Sequence, residues 1–205
     1  FSTRSFSQVQ FVDSNLPILL INTDIDTNTS QTLEITDEPK VLATMKIIRR
    51  PDGTRNYLTD QNSPEFLNYN GRIKIELRGS SSMELPKKSY SLTTVKSDNT
   101  SNNNVSILGM PSENDWILNS LAFDPSLIRD YLSYDISRKL GNYASRTQYC
   151  EVILNGDYIG LYVFQEKIKA NANRVDVAKI EKTDNSLNNL TGGYITKADR
   201  PDINE

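Results

Sequence analysis

The sequence predicts an α+β domain, mainly an antiparallel sheet with one principal helix, preceded by extra β-strands. Three observations carry that prediction. Apolar and polar residues alternate through Gly71–Gly79, the period of a half-buried strand. The segment between Asp124 and Gly141 instead repeats its apolar residues at helical spacing. Asn155-Gly156 joins two apolar runs, and that dipeptide is the strongest short signal for a hairpin turn.

Taken in order, residues 1–15 read as a polar lead-in and Leu16–Asn22 as a buried strand. Thr23–Ser30, rich in Asp, Thr and Asn, reads as a loop. Val41–Arg49 reads as a second strand, ended by the turn signal Pro51-Asp52-Gly53. In the alternating segment Ile73, Ile75 and Leu77 share one face, and Lys74, Glu76 and Arg78 the other. Lys87–Val95 forms the next strand, with Lys88, Tyr90 and Leu92 on one face, and Ser97–Ser106 is a polar loop. Asp124 is a natural N-cap, Pro125 suits the first helical position and Gly141 can close the helix. Between them Leu127, Ile128, Tyr131, Leu132, Ile136 and Leu140 form an apolar stripe expected to face a core. Gln148–Leu154 and Tyr158–Gln165 are the hairpin arms, and Gly192–Thr196 reads as a short strand. The expected division is residues 1–69 as lead-in and β-strands, then 70–205 as the main unit. Whether the first part forms a separate layer stays open.

The 205 residues carry a net charge of -3, from 23 Lys and Arg against 26 Asp and Glu. That balance gives no pull toward nucleic acid, so no nucleic-acid partner is expected. The longest apolar run, Leu16–Ile21, has strand length, so no transmembrane segment is expected. The absence of His removes the commonest general base and zinc ligand. A lone cysteine, Cys150, excludes a disulfide within the chain, and a metal site would need oxygen ligands, favouring Mg²⁺ or Ca²⁺. A start at Phe1, with neither Met nor signal peptide, fits a processed or trimmed piece. The sequence leaves the oligomeric state open.

Two groups of residues stand out chemically. The first is Arg78-Gly79-Ser80-Ser81-Ser82 followed by Pro86-Lys87-Lys88-Ser89-Tyr90. A Gly/Ser turn offers backbone N–H groups and hydroxyls to phosphate oxygens, and a following lysine can hold them by charge. The spacing is not that of a Walker A loop, and an ordinary loop with surface lysines is the other reading. The second is Asp135, which falls at the centre of the apolar stripe. A buried carboxylate needs a cation, which Lys88 or Arg78 would supply; a structural salt bridge is the alternative. Trp116 reads as a core anchor or a stacking platform, and Cys150 as an inert core residue. Glu166, leaving the last hairpin strand, either lines a cleft or is solvated. Asp199 and Asp202 are a weaker cation candidate, and Asp24 with Asp26 lacks EF-hand spacing.

Several stretches, in order, resemble the CotH kinase family, named for a spore coat protein. They include Gly71-x-Ile73-x-Ile75-x-x-Arg78-Gly79-x-Ser81-Ser82, Pro86-Lys87-Lys88-Ser89-Tyr90, Leu108-Gly109-x-Pro111 with Asp115-Trp116, and Leu127-Ile128-Arg129. Val152-x-x-Asn155-Gly156-x-Tyr158-x-Gly160-x-Tyr162, Glu166-Lys167-Ile168 and Gly192-Gly193-Tyr194-Ile195 continue the series. The resemblance spans roughly residues 70–197 and implies an atypical kinase that binds ATP and Mg²⁺ and phosphorylates protein side chains. It implies a lobe like a protein kinase N-terminal lobe, with Arg78, Ser80, Ser81, Ser82 and Lys87 around the phosphates. Lys88 would be the phosphate-binding lysine and Asp135 the acid orienting it, both catalytic, with Glu166 near the nucleotide base. Such kinases carry their metal-binding and catalytic acids in a following lobe, and no such pair follows Ile195. The resemblance therefore implies a piece inactive alone, with no metal ligand of its own, from a protein secreted or in a bacterial envelope. The alternative is a non-catalytic extracellular binding or structural module.

Overall fold

The structure is a computed structural model and describes residues 10–178, 180–191 and 193–196. The chain divides into two units, residues 1–167 and 168–205. The first unit runs β1 (Asp13–Ser14), β2 (Ile18–Thr23), β3 (Val41–Ile48), β4 (Asn56–Tyr57), β5 (Leu67–Arg78) and β6 (Ser89–Val95). It continues through β7 (Val105–Ile107), β8 (Met110–Glu113), β9 (Asp115–Asn119), α1 (Arg129–Lys139), β10 (Thr147–Leu154) and β11 (Asp157–Glu166).

Seven of these strands close into a barrel in the order β10-β11-β9-β6-β5-β3-β2. Every pairing is antiparallel except the seam, where β2 runs parallel to β10 with Ile18 opposite Glu151 and Ile21 opposite Leu154. Strand alternation decides what points inward. Leu19 and Ile21, Met45 and Ile47, Ile73 and Ile75, Leu92, Trp116, Val152, Tyr162 and Phe164 fill the interior and are all essentially buried. Trp116 stacks on Phe164 with ring centroids 5.2 Å apart, so the sole tryptophan is a core anchor. Cys150 is also fully buried, and burial pushes its thiol pKa up, as suits an inert core residue. A smaller apolar cluster, Ile18, Leu20, Ile48 and Ile153, lies on the outside beneath Phe11, Leu58 and Tyr158.

This architecture corrects the predicted fold class. The unit is mostly β and closed on itself, not an α+β lobe built around a principal helix. The physical reason lies in two strands. β2 is apolar on both faces, so it can close the barrel, and it joins β3 and β10 rather than a layer in front. β9 then bridges β6 and β11. A sheet closed on itself satisfies its own inner face and needs no helix to cover it. Accordingly no residue of α1 is buried, and Leu132, Ile136 and Leu140 of the predicted core-facing stripe are 46, 47 and 73% exposed. α1 is tethered instead from outside: Tyr131 stacks on Tyr149 of β10 at 4.8 Å, and the Tyr149 hydroxyl donates to the Leu127 carbonyl.

The hairpin turns at Asn155 and Gly156, both at positive φ (51° and 89°), as a primed turn requires. Gly141, at φ +83°, closes α1: its N–H donates to Arg138 O at 3.0 Å and Asn142 N–H donates to Ser137 O at 3.1 Å, the paired bonds of a Schellman end. The helix starts at Arg129 rather than Pro125, because Leu127 sits at φ +56°. In the second unit Ala170 bridges Val175, and α2 (Leu187–Leu190) is a single turn. The strand predicted at Gly192–Thr196 is not formed over residues 193–196; Gly192 lies outside the described residues.

Candidate functional site

β5, β6 and β9 meet at one mouth of the barrel, where Arg78 lies opposite Ser89 and Tyr90 opposite Leu118. The chain leaves β5 through Gly79, at φ +134°. A Cβ there would lie 1.9 Å from Ser82 Oγ, so this fold-back requires glycine. The turn continues as a 3-10 segment, Ser81–Glu84, with the Met83 N–H donating to Ser80 O at 3.0 Å. Ser80 and Ser81 are exposed and Ser82 half-buried.

Opposite the turn, the chain leaving β9 is fastened to β6. Ser120 N–H donates to Ser89 Oγ at 3.0 Å, and the two hydroxyls lie 2.9 Å apart. Asn119 Nδ2 donates to Asp130 Oδ2 at 3.0 Å, tying the end of β9 to the first turn of α1. Asp124 organises the segment between. Its carboxylate accepts from Ser126 N–H at 3.0 Å, Ser126 Oγ at 2.6 Å, Ile128 N–H at 2.9 Å and Arg129 N–H at 2.8 Å. The Ser126 hydroxyl and then the Arg129 N–H hold its pKa at about 2, against 3.8 ordinarily.

Between these walls lies a cleft of ≈ 400 Å³, with Arg78, Ser81 and Ser82 on one side and Asp124, Arg129 and Asp130 on the other. Arg129 has 74% of its side chain exposed and stands 3.6 Å from Asp124. Two guanidiniums and two serine hydroxyls thus border one space with the Asp124 and Asp130 carboxylates. Asp124 is committed to four donors of its own segment, which leaves Arg78 and the serine hydroxyls as the donors best placed for an oxyanion such as a phosphate.

A neighbouring cavity of ≈ 370 Å³ is bordered by Lys87, Lys88, Tyr90 and Tyr162. Lys88 Nζ donates to the Met83 carbonyl, pinning the serine turn to the start of β6. Lys87 Nζ sits 4.6 Å above the Tyr162 ring and donates to Leu161 O, and burial lowers its pKa. The structure therefore gathers Arg78, Ser81 and Ser82 in one cleft and Lys87 and Lys88 in the next, while Ser80 caps the turn. Asp135 lies along α1, where it pairs with Lys139 at 2.7 Å and Arg138 at 3.7 Å. Glu166 is fully buried opposite Trp116, its carboxylate accepting from Arg146 Nη1 and Arg146 N–H at 2.9 Å each. Asp199 and Asp202 lie outside the described residues.

Asp130 and Asn119 line this cleft without having been singled out in the sequence, and Arg129 stood out only within the Leu127-Ile128-Arg129 stretch of the family resemblance. The available signal was Asp124, whose capping carboxylate fixes where Arg129 emerges. Among the described residues no group of three or more His, Cys, Asp or Glu is placed to hold a metal ion. No helix is long and apolar enough to cross a membrane among the described residues.

Fold and cleft together define a β-barrel protein with a guanidinium- and hydroxyl-lined cleft beside an eleven-residue helix. Residues 75–204 match the family described as CotH kinase protein, and the chain belongs to that family. No curated protein matches it.

Proposed function

We propose that the protein holds the phosphates of ATP in the cleft between the serine turn and the start of α1, as part of an atypical kinase acting on protein side chains. The observation that carries this reading is the meeting of Arg78, Ser81 and Ser82 with Arg129 around one space, in a chain of the CotH kinase protein family. Arg78 and Arg129 would neutralise phosphate charge, and the serine hydroxyls would donate to the phosphate oxygens. ATP would supply the phosphoryl group. Lys88 supports the site through the turn it pins, and Lys87 offers a second cation in the adjacent cavity.

Mg²⁺ would accompany the nucleotide, held by its phosphate oxygens and by one or two carboxylates. The cleft offers Asp124 and Asp130, and no group of three or more such ligands is found among the described residues. We also place the protein outside the cell or in a bacterial envelope, on the strength of its family.

The test is calorimetric titration of the 205-residue chain with ATP, with and without MgCl₂. Arg78→Ala and Arg129→Ala are each expected to weaken binding roughly tenfold, as for a charged hydrogen bond lost, and Lys88→Ala to weaken it as the turn loosens. Equal affinity in the wild type and both arginine variants would sink the assignment.

A further inference from the structure

A second cleft, of ≈ 600 Å³, opens on the outer face of the barrel beside the parallel seam of β2 and β10. Its floor is Leu20 and Ile153, both nearly buried. Tyr158 forms one wall and is stacked on Phe11, with centroids 4.6 Å apart and planes 16° from parallel. Three side-chain amides, Gln10, Asn22 and Gln61, complete the lining. None of these amides makes a side-chain hydrogen bond to another described residue, and Gln10 and Asn22 are exposed and Gln61 half-buried.

The cleft contains no carboxylate, ammonium or guanidinium among its described lining residues. The Tyr158 phenol stays neutral as well. Burial and its 2.7 Å bond to Glu151 push its pKa up to about 12. The frame is fixed: Gln61 sits in the 3-10 segment Leu58–Asn62, anchored where Arg50 grips Asp60 through bonds of 2.8 and 2.9 Å. The N-terminal strand is tied to the same segment by Leu58 N–H donating to Val12 O at 2.8 Å.

This combination selects a ligand class. A charged ligand would find no counter-charge here, and a wholly apolar one would strip water from three amides without replacing it. A pyranose offers apolar C–H faces for the aromatic wall and hydroxyls that both donate and accept, as amides do. We infer that this cleft binds a neutral oligosaccharide. Gln10, Phe11, Leu20, Asn22, Leu58 and Gln61 precede residue 75, where the family match begins, while Ile153 and Tyr158 lie within it. No residue of this cleft borders the nucleotide cleft, so the two sites are distinct.

The experiment titrates the 205-residue chain with cellotetraose, chitotetraose and mannotetraose, followed by calorimetry and amide NMR, at low and high salt. At least one sugar is expected to bind, shifting the Gln61 and Tyr158 amide signals, with affinity unchanged by salt because no ion pair forms. Phe11→Ala is expected to weaken binding roughly tenfold, the scale of a lost aromatic contact. Asn22→Ala and Gln61→Ala alter exposed or half-exposed amides and should weaken binding several-fold while leaving Tm unchanged. Failure of all three sugars to bind would overturn the inference. So would affinity undiminished in Asn22→Ala and Gln61→Ala.

Discussion

Asp124 carries four hydrogen bonds although it lies outside α1, and they hold its carboxyl pKa at about 2 against an ordinary 3.8. Its folded pKa lies below its unfolded one. It therefore stabilises the fold fully above about pH 4, and that contribution is lost as pH falls through its folded pKa. Asp124→Asn is expected to lower Tm at neutral pH, with the gap to wild type closing as pH falls from 3.8 toward 2 in thermal melts. A gap independent of pH would mean that the carboxylate's charge does not matter. The sequence showed Asp124 as a cap but misplaced the start it caps. The positive φ of Leu127 turns the chain once before the helix begins, and nothing about a leucine signals that conformation. Gly79 was legible as a turn residue. That its missing methyl makes room for Ser82 was not, because the contact depends on the path of the turn.

The behaviour of α1 follows from the closure of the sheet. Its stripe suggested a buried face with Asp135 at the centre, yet the Asp135 side chain is 29% exposed and its ion pairs lie within the helix. Truncating Leu132, 46% exposed, should cost less than about 1 kcal/mol, whereas Trp116→Ala, in the barrel interior, should cost about 3–5 kcal/mol. Urea denaturation of both variants checks this; a large loss from Leu132→Ala would show that α1 is an integral part of the core. The hairpin β10–β11 was readable because Asn155-Gly156 can turn almost only one way. β9 was missed because Trp116-Ile117-Leu118 is apolar throughout and too short to show a period. The candidate cleft was half legible for the same reason. Its serine turn follows β5 directly in sequence, but Arg129 reaches it only through the path after β9.

At the scale of the whole first unit, β2 and β3 contribute two of the seven barrel strands. Leu19, Ile21, Met45 and Ile47 are wholly or almost wholly buried inside, and each such side chain is worth about 1.5–3 kcal/mol. Their sum is comparable to the about 5–15 kcal/mol that stabilises a typical domain. A polypeptide of residues 70–205 is therefore expected to show no cooperative thermal transition by circular dichroism, whereas the 205-residue chain is expected to show one. A sharp transition in the shorter piece would mean that β5 and β10 find other partners. The parallel seam of four residue pairs between β2 and β10 has one more consequence. In an open sheet the outermost strands present rows of unsatisfied amides and carbonyls that recruit strands from other chains. Here the first and last strands of the series satisfy each other over Ile18–Ile21 and Glu151–Leu154, so that stretch of the barrel offers no template for strand addition. Copies crowded together on a surface would therefore find that stretch of β2 and β10 closed to fibril-like pairing.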